Sequence, residues 1–401
     1  MVTCAAVCVL MLAASVPMPA QAPPTRTLTE QELVDMMVGT SILCTRGGDT
    51  AGMIDRVKAA LAQGRHFTMI ALRDVPDDWT AFTMFGIGGG GAWDYVTKRM
   101  EAQGFGRGGR GQAPTGPTAV DVLSDYLGKK FNATFEAEAG GATAGALTTA
   151  ERMNIPIVDA CPSGRCLPEV QMSSFYVNAG IMRAPMAGVT RYGDVVIIPK
   201  TYDDYRAEDL TRAIAVGSGG NFTVAANAVS GKVLKANLIP GFLSKSIRLG
   251  RAAREASAAG RDPVAAVVAE GRGYLLFRGV VTKSDSRGEQ GFGVTDAYLD
   301  GTGAFSGSHY RIFNKNENLV AWRDGKLDAA APDLICPLDP KTGWAMKTTG
   351  VIGSFPVGQE LAIVGFPNDA IWRTEKAVEM LGPRHFGFDE TYVPIERLHA
   401  K

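Results

Sequence analysis

Up to about residue 270 the apolar residues alternate between two spacings, one near 3.6 and one near 2. Beyond that point the helical spacing fades. The first spacing buries one stripe of a helix and the second buries one face of a strand, so the change of rhythm limits the architectures open to the chain. Thr29-Glu30-Gln31-Glu32 is a capping box ahead of Leu33, Met36 and Met37, which predicts a helix over 30–38 that Gly39 can end. Met53, Ile54, Val57, Ala60 and Leu61 keep the helical period over 51–63, Gly64 closes it, and the apolar run 67–72 follows as a strand. Further strands are expected at 80–87, 133–139, 155–158 and 195–198, and helices at 93–103, 120–127, 145–153, 207–216 and 243–259. Strands alternating with helices predict an α/β amino-terminal domain, a mostly parallel sheet covered by helices, over 27–270. From Tyr274, short β-rich runs at 274–282, 309–313, 319–322, 351–352 and 360–364 are separated by turns such as Asp300-Gly301 and Asp324-Gly325. They predict a smaller, mainly β carboxy-terminal domain over 274–398.

The 401 residues accommodate two or three domains at roughly 100 to 200 residues each. Hydrophobic residues at 46% supply enough apolar surface to offset chain entropy, which excludes wholesale disorder. Forty-one Lys and Arg balance 41 Asp and Glu, so no global field draws the chain to nucleic acid or to an anionic membrane. The apolar run 4–16, followed by Pro17, Pro19 and Ala20-Gln21-Ala22, reads as a signal peptide over 1–22. No Lys or Arg precedes it, and a mis-assigned start is the alternative. A cleaved leader makes the mature chain periplasmic or secreted; otherwise it is cytoplasmic. The run falls short of the roughly 20 residues a membrane span needs. Beyond it lie Cys44, Cys161, Cys166 and Cys336, which allow three pairings; Cys161 and Cys166 either close a local disulfide or stay as free thiols.

Gly86-Ile87-Gly88-Gly89-Gly90-Gly91 satisfies the dinucleotide pattern, yet no acid stands about 20 residues on, so it reads as a tight loop shaping a pocket. The three arginines of the 104–118 insertion are too little charge for nucleic acid. Four scattered histidines exclude a histidine-rich zinc site, although a divalent metal on carboxylates with Cys161 or Cys166 stays open. The densest polar constellation runs from Glu138 to Gln171. Glu138, with Gly140 and Gly141, closes one predicted strand, Asp159 closes the next, and Arg165, Glu169 and Gln171 follow in a loop. In open parallel sheets ligands sit beyond the carboxyl ends of the strands, so two such acids are expected to converge on one crevice as acid and base. The alternative is that they cap helices or pair with Arg165 and Arg152.

A set of segments in fixed order adds to this reading: Gly39 to Asp49 (GTSILCTRGGD), Glu138 to Gly141, 156–172 (PIVDACPSGRCLPEVQM), Pro240-Gly241, Phe277-Arg278-Gly279, 316–322 (NENLVAW), 332–336 (PDLIC), Trp372-Arg373-Thr374, Gly382-Pro383-Arg384 and Tyr392-Val393-Pro394. In these the chain resembles the DUF917 family, named for S-methyl thiohydantoin desulfurase and often encoded beside hydantoinase/oxoprolinase subunits. The resemblance implies a hydrolase that exchanges the methylthio group of a five-membered thiohydantoin ring for oxygen, on a small heterocyclic substrate. The alternative is a non-catalytic, ring-binding subunit supporting a hydantoinase/oxoprolinase; a homo-oligomer is compatible with either. On this reading Glu138 and Asp159 serve as base and ring-nitrogen partner, with Asp49 and Glu169 as second candidates. The amides at Gly47, Gly48, Gly140 and Gly141 are anion donors, Arg165 holds a substrate carboxylate and Gln171 lines the same loop. Asn316 and Asn318 either close the pocket from the second domain or organise a β turn. The chain departs from the family at Cys44-Thr45-Arg46, where members continue Gly-Thr-Gly, at Thr143 and at Cys161-Pro162-Ser163.

Overall fold

A computed structural model describes residues 23–88, 90–91, 93–105, 116–348 and 353–400. The proposed leader, most of the 104–118 insertion and the strand expected at 351–352 lie outside the described residues. In chain order the first sheet holds β1 Thr25–Thr27, β2 Thr68–Ala71, β3 Thr80–Gly88, β4 Ala133–Glu136, β5 Ile157–Cys161, β6 Met186–Thr190, β7 Val195–Ile198, β8 Asn221–Ser230 and β9 Ile239–Pro240. The second holds β10 Tyr274–Glu289, β11 Phe292–Gly301, β12 His309–Lys315, β13 Glu317–Arg323, β14 Lys326–Ala330, β15 Leu334–Leu338 and β16 Glu360–Phe366. The helices are α1 Glu30–Leu43, α2 Thr50–Ala62, α3 Asp94–Ala102, α4 Ala119–Leu127, α5 Gly141–Met153, α6 Ser174–Ala179, α7 Asp204–Gly217, α8 Gly231–Asn237, α9 Phe242–Ala258, α10 Pro263–Gly271, α11 Glu375–Leu381 and α12 Ile395–Leu398.

The centre of the first sheet is parallel, in the order β2-β5-β4-β3. Antiparallel strands extend it, β1 on one flank and β8-β6-β7 on the other, and β9 pairs with the end of β5. Alternate strand residues face opposite helical layers, as a two-residue period requires. Ile70, Phe135 and Val158 pack with Phe175 of α6 and Leu234 of α8, while Met69 and Ile157 join Leu33, Met36 and Met37 of α1. The second sheet runs β14-β13-β12-β11-β10-β16-β15 with every neighbour antiparallel. Leu334, Cys336, Ala362 and Val364 from its β15 and β16 belong to the same apolar cluster as α1, α9 and α10, so this helical layer is shared by both sheets.

The capping box forms as expected, with the Thr29 hydroxyl accepting from the Glu32 amide and the Glu32 carboxylate accepting from the Thr29 amide. Gly39, however, does not end the helix, which runs on to Leu43. A Cβ at Gly39 would stand 1.8 Å from the carbonyl oxygen of Ser246 in α9, so the glycine permits a close helix crossing. Asp159 also differs from expectation, because it lies within β5 and does not close it.

Candidate functional site

The carboxyl ends of β3 and β4 open into a cavity of about 260 Å³. Gly86 and Gly88 of β3, Glu138 from just beyond β4 and residues 167–170 of the following loop line it. Arg46, Arg183 and Arg212 line it, and Asn316 reaches in from the second sheet. A neighbouring cavity of about 740 Å³ shares Glu169 and Arg212 and adds Lys315 and His385, so a continuous cleft separates the strand ends from the second sheet. The glycine-rich loop shapes this cleft: Gly90 pairs with Gly291 of the second half, its amide donating to the Gly291 carbonyl at 2.8 Å.

Each ionisable group here has a distinct environment. Burial pushes the Glu138 carboxyl above its usual range, while the nearby Arg46 charge and the Leu167 amide, donating at 2.8 Å, hold it partly back. Burial alone would raise Glu169 as well. The hydrogen bond from His385 (2.8 Å) and the charge of Lys315 outweigh it and bring Glu169 to about 2, so this carboxylate stays ionised and is unsuited as a base at neutral pH. Glu317, fully buried at the start of β13, is pushed up to about 8 by burial, against the opposing charge of Arg46, whose guanidinium donates to it at 2.6 Å. Arg212 is held by Glu208 at 2.6 Å and by the Gly88 and Pro168 carbonyls, with its guanidinium over the Phe292 ring. Arg183 donates from Nε to the Val170 carbonyl and from Nη1 to Asn227.

Several expected residues lie elsewhere. Asp159 does not converge with Glu138: it accepts from the amide and hydroxyl of Ser244, at 3.0 and 2.5 Å, and so caps the first turn of α9. Arg165 is not a substrate clamp. It is fully buried and donates to the carbonyls of Asn318, Pro332 and Asp333. Asn318 is also fully buried, tied to Thr45, Ile335 and Asn314. Asp49 caps α2 through the Gly52 amide, at a separate depression shared with Gly47, Gly48, Gly140 and Gly141. The Gly48 amide already donates to the Met346 carbonyl and the Gly140 amide to Thr40, so neither is free for an anion. Gln171 donates to Glu169 and lines the larger cavity. Asn316, at φ 57°, both turns the chain between β12 and β13 and faces the smaller one. Sequence reasoning missed Arg183, Arg212, Lys315 and His385, which sit in no motif, and met Arg46 only as a departure from the family pattern.

Cys44 and Cys166 are joined in a disulfide, while Cys161 and Cys336 are buried and free. The local Cys161–Cys166 pairing therefore does not form. Gly140, at φ +83°, makes room for the bridge, since a Cβ there would stand 2.6 Å from the Cys44 sulfur. Among the described residues, Cys44, Cys166 and Glu317 are close enough to share a metal ion. With the disulfide closed the sulfurs offer no thiolate, and Glu317 faces Arg46, so this donor set does not fit a divalent cation.

A helix-covered sheet whose parallel strand ends face a second, antiparallel sheet across a polar cleft defines a two-domain α/β protein with its candidate site at the domain junction. The chain belongs to the S-Me-THD-like family: the family's N-terminal domain matches residues 31–200 and its C-terminal domain residues 202–395. A crystal structure of a protein from Chromobacterium violaceum is similar over 92% of this chain and 100% of its own, at 20% identity and a TM-score of 0.69, a likeness of fold. No functionally curated protein matches the chain. Among the described residues no helix is long and apolar enough to cross a membrane.

Proposed function

We propose that the chain is a hydrolase of the S-methyl thiohydantoin desulfurase type, acting on a thiohydantoin- or hydantoin-like ring in the cleft, with Glu138 as the acid–base group. The observation that carries this reading is the Glu138 carboxyl, raised by burial where Glu169 is lowered, opening into a small cavity beside three guanidinium groups. A base with a pKa nearer neutrality than a free carboxylate transfers protons more effectively at neutral pH. Glu138 takes a proton from water as the oxygen attacks the ring carbon that bears the methylthio group. Charge that develops on the adjacent ring nitrogen is met by an arginine. Glu138 then returns that proton to the departing sulfur, the C–S bond breaks and methanethiol leaves, and the second water proton passes from the new hydroxyl to the ring nitrogen, which leaves the ring carbonyl and an N–H. Family membership and the site chemistry support this reading together.

The test is thiol release from an S-methyl thiohydantoin. Glu138→Gln is expected to lower kcat about 10²- to 10⁴-fold while substrate still binds. Because the carboxyl must be ionised to act as the base, and lies above 4.5, wild-type kcat/KM is expected to fall on the acid side with a midpoint above that value. Unchanged turnover in Glu138→Gln rejects the assignment. Ring binding without turnover by the wild-type chain points instead to a ring-binding subunit.

A further inference from the structure

Two arginines in the smaller cavity have donor edges that the protein does not use. Among the described residues Arg46 has one side-chain partner, Glu317 on Nη1, which leaves Nε and Nη2 open. Arg183 uses Nε and Nη1 on Val170 and Asn227, which leaves Nη2 open; its side chain is braced over the Phe85 ring at 4.8 Å. Arg212 differs, because Glu208 and two carbonyls occupy all three of its nitrogens. Arg212 is paired with Glu208, and Glu169 with Lys315 and His385, so the donor edges left for a ligand in this cavity are those of Arg46 and Arg183. A cavity of about 260 Å³ holds a small ring with one short substituent, and a carboxylate on that substituent matches the open guanidinium edges.

We infer that the ring substrate carries a carboxylate substituent, and that Arg46 and Arg183 receive it, Arg46 through the Nε and Nη2 edge that suits two-pronged binding. This deepens the proposed function and rests on it. Arg46 and Arg183 then fix which edge of the ring meets Glu138, so they determine specificity and leave the proton transfers to Glu138.

The test is calorimetric binding of hydantoin-5-acetic acid, its neutral amide, and the open-chain dicarboxylate succinate to the full chain. The acid is expected to bind at least about tenfold more tightly than the amide, as one charge-assisted pair provides. Arg46→Gln is expected to weaken binding of the acid by at least about tenfold and to narrow its preference over the amide. Should Arg46→Gln fold poorly because Glu317 loses its partner, the Arg46→Gln/Glu317→Gln double variant tests the same preference without the unpaired acid. Equal binding of acid and amide overturns the carboxylate receptor and leaves the ring hydrolase standing. Binding of succinate as tight as the ring acid, with no binding of the amide, supports the receptor and overturns the ring. Binding of none of the three overturns both.

Discussion

Glu136 and Glu138 stand two residues apart at the end of β4 and do different work. Glu136 is fully buried, accepts from the Thr143 hydroxyl, and leaves its other oxygen without a partner. Burial pushes it well above the usual carboxyl range, and the charges of Asp159 and Glu138 add to the effect. Burial therefore favours its protonated form, while Glu138 keeps access to the cavity and to proton transfer. The sign of the stability effect follows. Between the unfolded value near 4.5 and the higher native value, the folded chain holds a proton that the unfolded chain has released. Stability then falls as pH rises through that window. Glu317, at about 8, and Asp204, at about 6, act in the same direction. Chemical denaturation between pH 5 and 8 is expected to give midpoints that decline with pH. Glu136→Gln, which mimics the protonated acid, is expected to flatten the decline and to exceed wild type in stability at pH 8. An identical slope in the variant removes Glu136 as its source.

Elements pin the cleft loops through contacts distant in sequence. The disulfide joins Cys44, two residues before Arg46, to Cys166, whose next residue gives its amide to Glu138. It thus fixes the cation and the acid with one link. The two cysteines are 122 residues apart, and closing so long a loop in the unfolded chain corresponds to roughly 4 to 5 kcal/mol on the chain-entropy account. Reduction, or the Cys44→Ser/Cys166→Ser double variant, is expected to lower stability by about 2 to 4 kcal/mol in denaturant titrations and to reduce turnover together with it. No change on reduction sinks the idea. The same distances explain what was legible in the sequence. The α1 capping box could be read because its partners lie within three residues. The role of Gly39 could not, because local propensity marks a glycine as a helix stop, whereas its reason here is the backbone of Ser246. Asp159 likewise carries the signature of a catalytic acid, and only its contact with Ser244, 85 residues on, identifies it as a cap.

At the scale of the whole molecule, the alternation of periods was enough to foresee a helix-covered sheet followed by a β-rich one, because periodicity is a local property. Which side chains meet between the two sheets depends on docking, and no local pattern encodes that. Arg165 makes the point: an arginine among candidate acids reads as a clamp for an anion, yet it ties the loop after β5 to the second sheet. It does so through the carbonyls of Asn318, Pro332 and Asp333 at 2.9, 3.3 and 2.8 Å. The two roles separate by experiment. A clamp at the surface of the cleft, once removed, weakens substrate binding and leaves stability unchanged. A buried bridge, once removed, takes a donor from the carbonyls of Cys166, Asn318, Pro332 and Asp333, and each group left unsatisfied costs about 1 to 3 kcal/mol. Arg165→Met, which keeps much of the side-chain volume without the donors, is therefore expected to lose several kcal/mol of stability in denaturant titrations. Loss of hydrogen-exchange protection is expected to begin around 318 and 333 and to spread to the cleft, since Asn316 and Glu317 sit on the same turn. If Arg165→Met keeps wild-type stability and loses only ligand affinity, the bridge is wrong and the clamp returns.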